Sequence, residues 1–325
     1  EAAHLARSTY RDGVLNVGGE FGGLFRLGGC RDPVLVSSVD GVGTKTLLAG
    51  LLDRWDVIGA DVVSHGANDV LCHGAAPLFM LDYVASERLD GRAVTAMIEG
   101  LAAACRRIGV ALLGGETAEM PGIYRPQQID VVGCTVGAVE RERLLTGREI
   151  QPGDAVVGIA SDGLHTNGYS LARAVLLPAG GTGAAARRAL DRVPPGFSEP
   201  LGDVLMRPHR CYAPPVLALL ERVRVRGIAH ITGGGITGNL VRVLPRGCRA
   251  VVARRWPVPP VFALLQSRGG LTDAEMFRTF NMGIGMMLVV ARADADAAAA
   301  ALERSGEQAW VVGEIRRGSR GVEIG

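Results

Sequence analysis

The chain has 325 residues, is 48% hydrophobic and carries a formal net charge of +2. That length suits a soluble enzyme of about two domains. The near-neutral charge, with aromatics at only 5% and no basic run among them, gives no reason to expect nucleic acid or a membrane surface as partner. No signal peptide or membrane-length apolar run is visible. The six cysteines, Cys30, Cys72, Cys105, Cys134, Cys211 and Cys248, form no C-x-x-C pair. This argues against zinc ribbons and dithiol redox motifs, and points to buried reduced thiols in a cytoplasmic protein. The chain opens on Glu1 rather than Met, so residues before it are expected.

In chain order, residues 34–39 read as a strand running into Asp40-Gly41-Val42-Gly43-Thr44-Lys45. A carboxylate, two glycines, a hydroxyl and a lysine suit a metal-bound polyphosphate: the carboxylate holds Mg²⁺, glycine backbone approaches oxygens, and lysine neutralises charge. The spacing is not that of a Walker A loop, and a tight turn with a surface lysine is the competing reading. Residues 54–74 read as a helix on which Asp61, His65, Asn68 and Cys72 share one face, with Asp69 beside them. The row is either a solvent face or a place where Asn68-Asp69 meets metal or phosphate; Gly66 and Gly74 would allow close approach. A strand at 78–85 and a helix at 92–108 follow. The strand 110–113 then delivers Gly114-Gly115-Glu116 at its end, as a polar ligand or an ordinary turn. Residues 130–139 form another strand, and the run 141–153 marks a domain boundary.

The second half restarts with a strand at 155–160. It leads through Ser161-Asp162-Gly163-Leu164-His165-Thr166-Asn167 into a helix near Gly168. His165 either packs beside a helix cap or, with its pKa lowered by the helix N-terminus, serves as base or hydrogen-bond donor. A helix at 209–222 and a strand at 228–231 precede Thr232-Gly233-Gly234-Gly235, which opens a short helix bearing Asn239. Glycines and hydroxyls at a helix start make a phosphate nest. Strands at 250–253, 283–290 and 309–315 and helices near 260–267 and 294–304 complete an α/β or α+β pattern. One anion site is acid-rich and the other acid-free, which suggests an ATP-dependent enzyme acting on a phosphorylated metabolite.

The segments VDGVGTK (39–45), ANDVLCHGAAPLFMLDY (67–83), GGETAEMPGIY (114–124), GLHTNGYSLAR (163–173), HITGGGITGN (230–239) and EMFRTFNMGIGM (275–286) together resemble the phosphoribosylformylglycinamidine cyclo-ligases, also called aminoimidazole ribonucleotide synthetases. They run in family order through nearly the whole chain. The resemblance implies an N-terminal ATP-binding and dimerisation domain (1–148), whose strands form a β-barrel across a homodimer, and a C-terminal α/β domain (149–325). It implies conversion of formylglycinamidine ribonucleotide and ATP to aminoimidazole ribonucleotide, ADP and phosphate. Asp40, Asp69 and Glu116 would hold Mg²⁺. Gly41, Gly43, Thr44, Lys45, Asn68 and Gly115 would contact ATP, with Lys45 and Asp40 taking part in catalysis. His165 would polarise or deprotonate substrate. Asn167, Thr232, Gly233, Gly234, Gly235 and Asn239 would bind substrate, the glycine nest taking its ribose phosphate; Thr279 and Asn281 lie in a family segment without an assigned role. The family usually has more residues before the segment 18–23, so weakened nucleotide binding is expected if those residues cover ATP. The alternatives are a selenophosphate synthetase-like paralogue and a non-catalytic ATP-binding module.

Overall fold

The computed structural model describes residues 2–16, 21–126, 128–178 and 181–325, so the glycine-rich segment 18–23 lies partly outside the described residues. The first half runs α1 (Ala2–Arg7), β1 (Pro33–Gly41), α2 (Thr46–Leu52), α3 (Trp55–Leu71), β2 (Ala76–Ser86), α4 (Gly91–Ile108), β3 (Ala111–Glu119) and β4 (Ile129–Glu140). The second half runs β5 (Ala155–Ala160), α5 (Tyr169–Leu176), α6 (Gly183–Leu190), α7 (Leu201–Leu205), α8 (Ala213–Leu220), β6 (Val225–His230), α9 (Gly235–Val243), β7 (Cys248–Val252), α10 (Pro260–Gly269), α11 (Asp273–Thr279), β8 (Ile284–Val290), α12 (Ala295–Arg304), β9 (Ala309–Arg317) and β10 (Gly321–Ile324). Among the described residues no helix is long and apolar enough to cross a membrane.

The first sheet has the order β1-β4-β2-β3, with only β2 and β3 parallel. One face packs on α3 and α4. Those helices touch backbone to backbone, because a Cβ on Gly59 would lie 1.9 Å from the Met97 carbonyl oxygen and one on Gly100 1.9 Å from that of Asp56. Gly66 does the same for α3 against the sheet: its Cβ would meet Thr135 Oγ1 at 2.1 Å. The helix glycines therefore serve packing, and Gly66 faces a strand rather than a ligand. The other sheet face is apolar and open. Paired positions on neighbouring strands share a side, which collects Leu35 and Val39 (62% and 65% exposed) with Cys134, Val136, Phe79, Leu81 and Tyr83.

The second sheet, β10-β7-β9-β5-β8-β6, is antiparallel except at β10–β7 and is covered on both faces. Every residue of β5 and β8 is buried. Val156, Met287 and Val289 enter one core with α9 and α10; Val157, Met286 and Leu288 enter the other with α8 and α12. Helix α3 supplies Ala67 and Leu71 to that second core, so it belongs to both halves of the molecule.

Two differences from the sequence reading matter for the site. Strand β3 extends to Glu119, placing Glu116 inside an edge strand rather than at a strand end. The expected helix at 209–222 begins at Ala213, with Pro214 and Pro215 in its first turn, which leaves 207–212 as a non-helical strap.

Asp82 is a buried carboxyl on the helix side of β2. Gly115 sits opposite it because a Cβ there would lie 2.3 Å from Asp82 Oδ1. Burial raises the Asp82 pKa to about 6 from an ordinary 3.8. A pKa raised in the folded state gives stability that is complete below about pH 4 and lost as pH rises through about 6. The loss amounts to about 2–3 kcal/mol once the group is fully ionised. Asp82→Asn is therefore expected to raise the denaturation midpoint at pH 8 and to flatten its dependence between pH 4 and 7. Parallel curves for the two proteins would refute the assignment.

Candidate functional site

A cleft of about 500 Å³ opens between the two sheets, lined from the first half by Ser38, Asp40, His65 and Asp69, and from the second by His230, Thr232, Asn239 and Arg242. A larger hollow of about 910 Å³ lies by residues 138–149 and 217–226. Two ion pairs, Arg143–Glu221 and Arg224–Glu149, cross its wall, whereas the smaller cleft gathers carboxylates and histidines from the sequence motifs.

Strand β1 and helix α3 bring two carboxylates together there. Asp40 accepts the Gly41 N–H at 2.7 Å through Oδ1, and its Oδ2 lies 3.0 Å from His65 Nε2. Asp69 accepts from Ser38 Oγ at 2.7 Å and from His230 Nδ1 at 2.8 Å. The His65 hydrogen bond holds the Asp40 carboxyl below its ordinary range. Burial would raise Asp69, but the hydrogen bond and charge of His230 outweigh it and leave the carboxyl at about 2. Both groups are therefore anionic at neutral pH. For His65, burial is likewise outweighed by the Asp40 hydrogen bond and the nearby carboxylates, and its pKa is raised.

Behind them lies a stack of histidines. His65 Nδ1 is 3.0 Å from Thr166 Oγ1, which is 3.1 Å from His209 Nδ1; His209 Nε2 is 3.0 Å from His230 Nε2. His165 stacks on His209 with ring centroids 4.2 Å apart. Burial first, then the neighbouring cationic groups, push His165 and His209 well below the ordinary value and keep them neutral. The pKa direction expected for His165 from a helix terminus thus arises from burial. His165 holds a left-handed backbone, φ 62°, which costs energy for any residue but glycine. Its loop is braced by Asn281, which donates to the Gly163 carbonyl at 2.8 Å and accepts from Ser161 Oγ. Arg210 clamps Asp162 from outside through two hydrogen bonds. Gly285 leaves room for the ring, since a Cβ there would meet His165 Cε1 at 2.6 Å. Asn281 thereby gains a role that its position in the sequence did not show. His165 itself is 2% exposed and does not line the cleft.

Other residues named from the sequence are placed differently. Lys45 is fully buried, its Nζ 2.7 Å from Asp61 Oδ2 and donating to the Arg207 carbonyl at 2.7 Å. The ammonium is spent inside the protein and does not face the cleft. Asn68 clamps the strap at 207–212, accepting the Tyr212 N–H at 2.8 Å and donating to the Arg210 carbonyl at 2.8 Å. Glu116 pairs with Tyr83 on the open sheet face. Asp40 is linked through Gly133 and Asp82 to Gly115, three strand spacings or roughly 14 Å away, so one chain does not bring Glu116 to the aspartates. Thr44 Oγ1 lies 3.1 Å from Ser170 Oγ, joining the Gly43 turn to α5.

The loop at 232–235 is a tight turn in which the Gly235 N–H closes on the Thr232 carbonyl at 3.1 Å. Gly234 and Gly235 have positive φ, and a Cβ on Gly235 would lie 2.0 Å from the Phe277 carbonyl oxygen. Asn239 Nδ2 donates to the carbonyls of Thr232, Gly233 and Gly235, which ties the loop into shape. Asn167 lies beside Gly233. Several participants escaped the sequence reading, among them His230, whose segment stands out only for its glycines and hydroxyls. Ser38 and His209 carry no local signal, because their partners are distant in sequence. Arg242 stands one helical turn after Asn239 and contacts its Oδ1 at 3.5 Å, a spacing that could have revealed it.

Known proteins agree with this architecture. Residues 22–139 match the model for the AIR synthase related protein N-terminal domain, and 151–325 match that for the C-terminal domain. The phosphoribosylformylglycinamidine cyclo-ligase of Symbiobacterium thermophilum is 50% identical over 97% of this chain and 89% of its own. That of Myxococcus xanthus is 48% identical over 97% and 90%. Among solved structures, thiamine-monophosphate kinase from Stenotrophomonas maltophilia superposes with a TM-score of 0.70 at 19% identity, covering 99% of this chain and 94% of that one. Hydrogenase maturation protein HypE in complex with ATP superposes with a TM-score of 0.68 at 19% identity, covering 100% and 91%; these two likenesses concern the fold. With both domain models matched and half of its residues identical to a full-length relative, the chain belongs to the AIR synthase family, among the phosphoribosylformylglycinamidine cyclo-ligases.

Proposed function

We propose that this protein closes the imidazole ring of aminoimidazole ribonucleotide from formylglycinamidine ribonucleotide at the expense of ATP. The observation that carries the reading is the cleft: two anionic aspartates on one wall face Thr232, Asn239 and Arg242 on the other. An amide oxygen is a poor leaving group. In the reaction that oxygen attacks the γ-phosphorus, the bond to ADP breaks, and the amidine nitrogen then closes on the same carbon as phosphate departs. Catalysis of this kind is positioning and charge neutralisation.

Asp40 and Asp69 offer ionised carboxylate oxygens, the donor set that Mg²⁺ prefers, and they are our candidates to hold it with ATP. When bound, the ion supplies charge neutralisation at the phosphates. Gly41, Gly43 and Thr44 shape the adjoining loop, and the turn at 232–235 with Asn167 and Arg242 takes the ribose phosphate. The buried histidine stack, His165 included, positions His230 and through it Asp69. Lys45 has a structural task here.

We further propose a homodimer through the open face of the first sheet, where Leu35, Val39 and Leu81 lie exposed. An apolar patch of this kind seeks cover. Glu116 shares that face, so any nucleotide it meets belongs to a second copy. Leu81→Glu is expected to shift the sedimenting species from dimer to monomer; an unchanged dimer would place the interface elsewhere.

The test of function is ADP release from purified protein with Mg²⁺ and ATP, with and without formylglycinamidine ribonucleotide, alongside assay of the aminoimidazole product. Substrate-dependent ADP matched by product supports the reading. Bound ATP without turnover overturns it in favour of a paralogue or a binding module.

A further inference from the structure

The wall that carries Asp40 and Asp69 also presents two ring nitrogens. His65 Nε2, Asp69 and His230 Nδ1 offer ligand atoms that all lie within 4.8 Å of one another. Asp40 Oδ2 adds a further oxygen 3.0 Å from His65 Nε2. We infer that His65, His230, Asp69 and Asp40 form a mixed nitrogen–oxygen centre that binds a zinc-like divalent transition metal ion, and that this ion competes with Mg²⁺ for the shared carboxylates.

Geometry comes first. Zinc–ligand distances of about 2.0–2.2 Å in a tetrahedron place neighbouring donors roughly 3.3–3.6 Å apart. The neighbouring donors here are 2.8 Å (Asp69–His230), 3.0 Å (Asp40–His65) and 3.8 Å (Asp69–His65) apart, which brackets that spacing. Two imidazoles and two carboxylates suit zinc, cobalt or manganese, whereas Mg²⁺ favours oxygen and retained water.

Outer contacts are the second argument. Metal-binding histidines hold their remaining ring nitrogen on a fixed partner. His65 Nδ1 rests 3.0 Å from Thr166 Oγ1, His230 Nε2 rests 3.0 Å from His209 Nε2, and Thr166 Oγ1 joins His209 Nδ1 at 3.1 Å. Ser38 Oγ holds Asp69. His65 and His230 are 4% and 5% exposed, so neither ring is free to turn to solvent, whereas Asp40 keeps an open side toward the cleft. The pairing is not a consequence of the cyclo-ligase reading, which asks only for the two carboxylates.

The test uses the full chain without nucleotide, stripped with a chelator and titrated with Co²⁺ as the probe. Saturable uptake of a single ion per chain is expected by equilibrium dialysis, with the visible ligand-field bands of four-coordinate cobalt. His65→Gln is expected to weaken binding by at least about tenfold, and Asp40→Asn, at a half-exposed position that the fold tolerates, to weaken it as well. The double variant His4→Gln/His73→Gln removes the two histidines that belong neither to the centre nor to the buried stack behind it and should leave binding unchanged. No saturable binding, equal binding by the His65 and Asp40 variants, or a thiolate charge-transfer band would overturn the inference. The Co²⁺ readout needs neither ATP nor substrate, so failure of the metal site leaves the reaction reading standing.

Discussion

Asp61→Asn is expected to destabilise the protein by about 3–5 kcal/mol, and Lys45→Met by a similar amount. Both side chains are wholly buried. Burial pulls the Lys45 ammonium down and pushes the Asp61 carboxyl up, while each partner draws the other back toward charge. Removing either one strands the other. The loss spreads to the second half of the chain, because Asp61 Oδ1 accepts the His209 N–H at 2.7 Å and Lys45 Nζ donates to the Arg207 carbonyl and sits 5.6 Å from the Tyr169 ring. The double variant Lys45→Met/Asp61→Leu should recover much of the loss, since an apolar pair of similar volume leaves no stranded charge. Urea denaturation of the four proteins measures this directly. Single variants within about 1 kcal/mol of the parent would show that the pair is neutralised at little cost.

Asp69→Asn should lower turnover by more than about a hundredfold, equivalent to several kcal/mol of lost charge stabilisation, with the fold intact. The amide retains the shape, and its single oxygen can still accept from one of the two partners, Ser38 or His230, that the carboxylate holds on separate oxygens. What disappears with the other oxygen is a negative charge at the cleft. Asn68→Asp, one residue away, has the opposite character. It adds charge where the Nδ2 donor is needed at 2.8 Å by the Arg210 carbonyl, so its primary effect is on stability. Measuring kcat together with the melting temperature for the pair separates the two. If Asp69→Asn keeps parental turnover, the nucleotide metal is held elsewhere.

The contrast between these neighbours shows what a sequence can disclose. The row Asp61, His65, Asn68 and Cys72 is visible as an anomaly at helical spacing, and the anomaly is real. Its explanation is not local: the partners of Asp61 lie at positions 45 and 209, and those of Asn68 at 210 and 212. Neither a solvent face nor a ligand alone describes it, since most of the row is a joint between halves. The order of strands and helices was largely legible because β-branched runs and amphipathic periods are local. Short elements such as α2, α7 and α11, five to seven residues each, carry too little period to read. Gly115 resembled a ligand-approach glycine, yet its lack of a Cβ makes room for Asp82. The family membership was legible because six segments in order constrain each other, whatever any one of them does.

Helix α3 lends Ala67 and Leu71 to the far core and Asp61 and Asn68 to the joint. The connection at 141–154 therefore marks a change of sheet without marking a place where the chain comes apart. Neither half, expressed by itself, has a finished interior: one keeps a helix with a bare polar seam, and the other a core missing two of its side chains. The slowest-exchanging amides of α3 should open only with the whole molecule, and heating should melt both sheets in one transition.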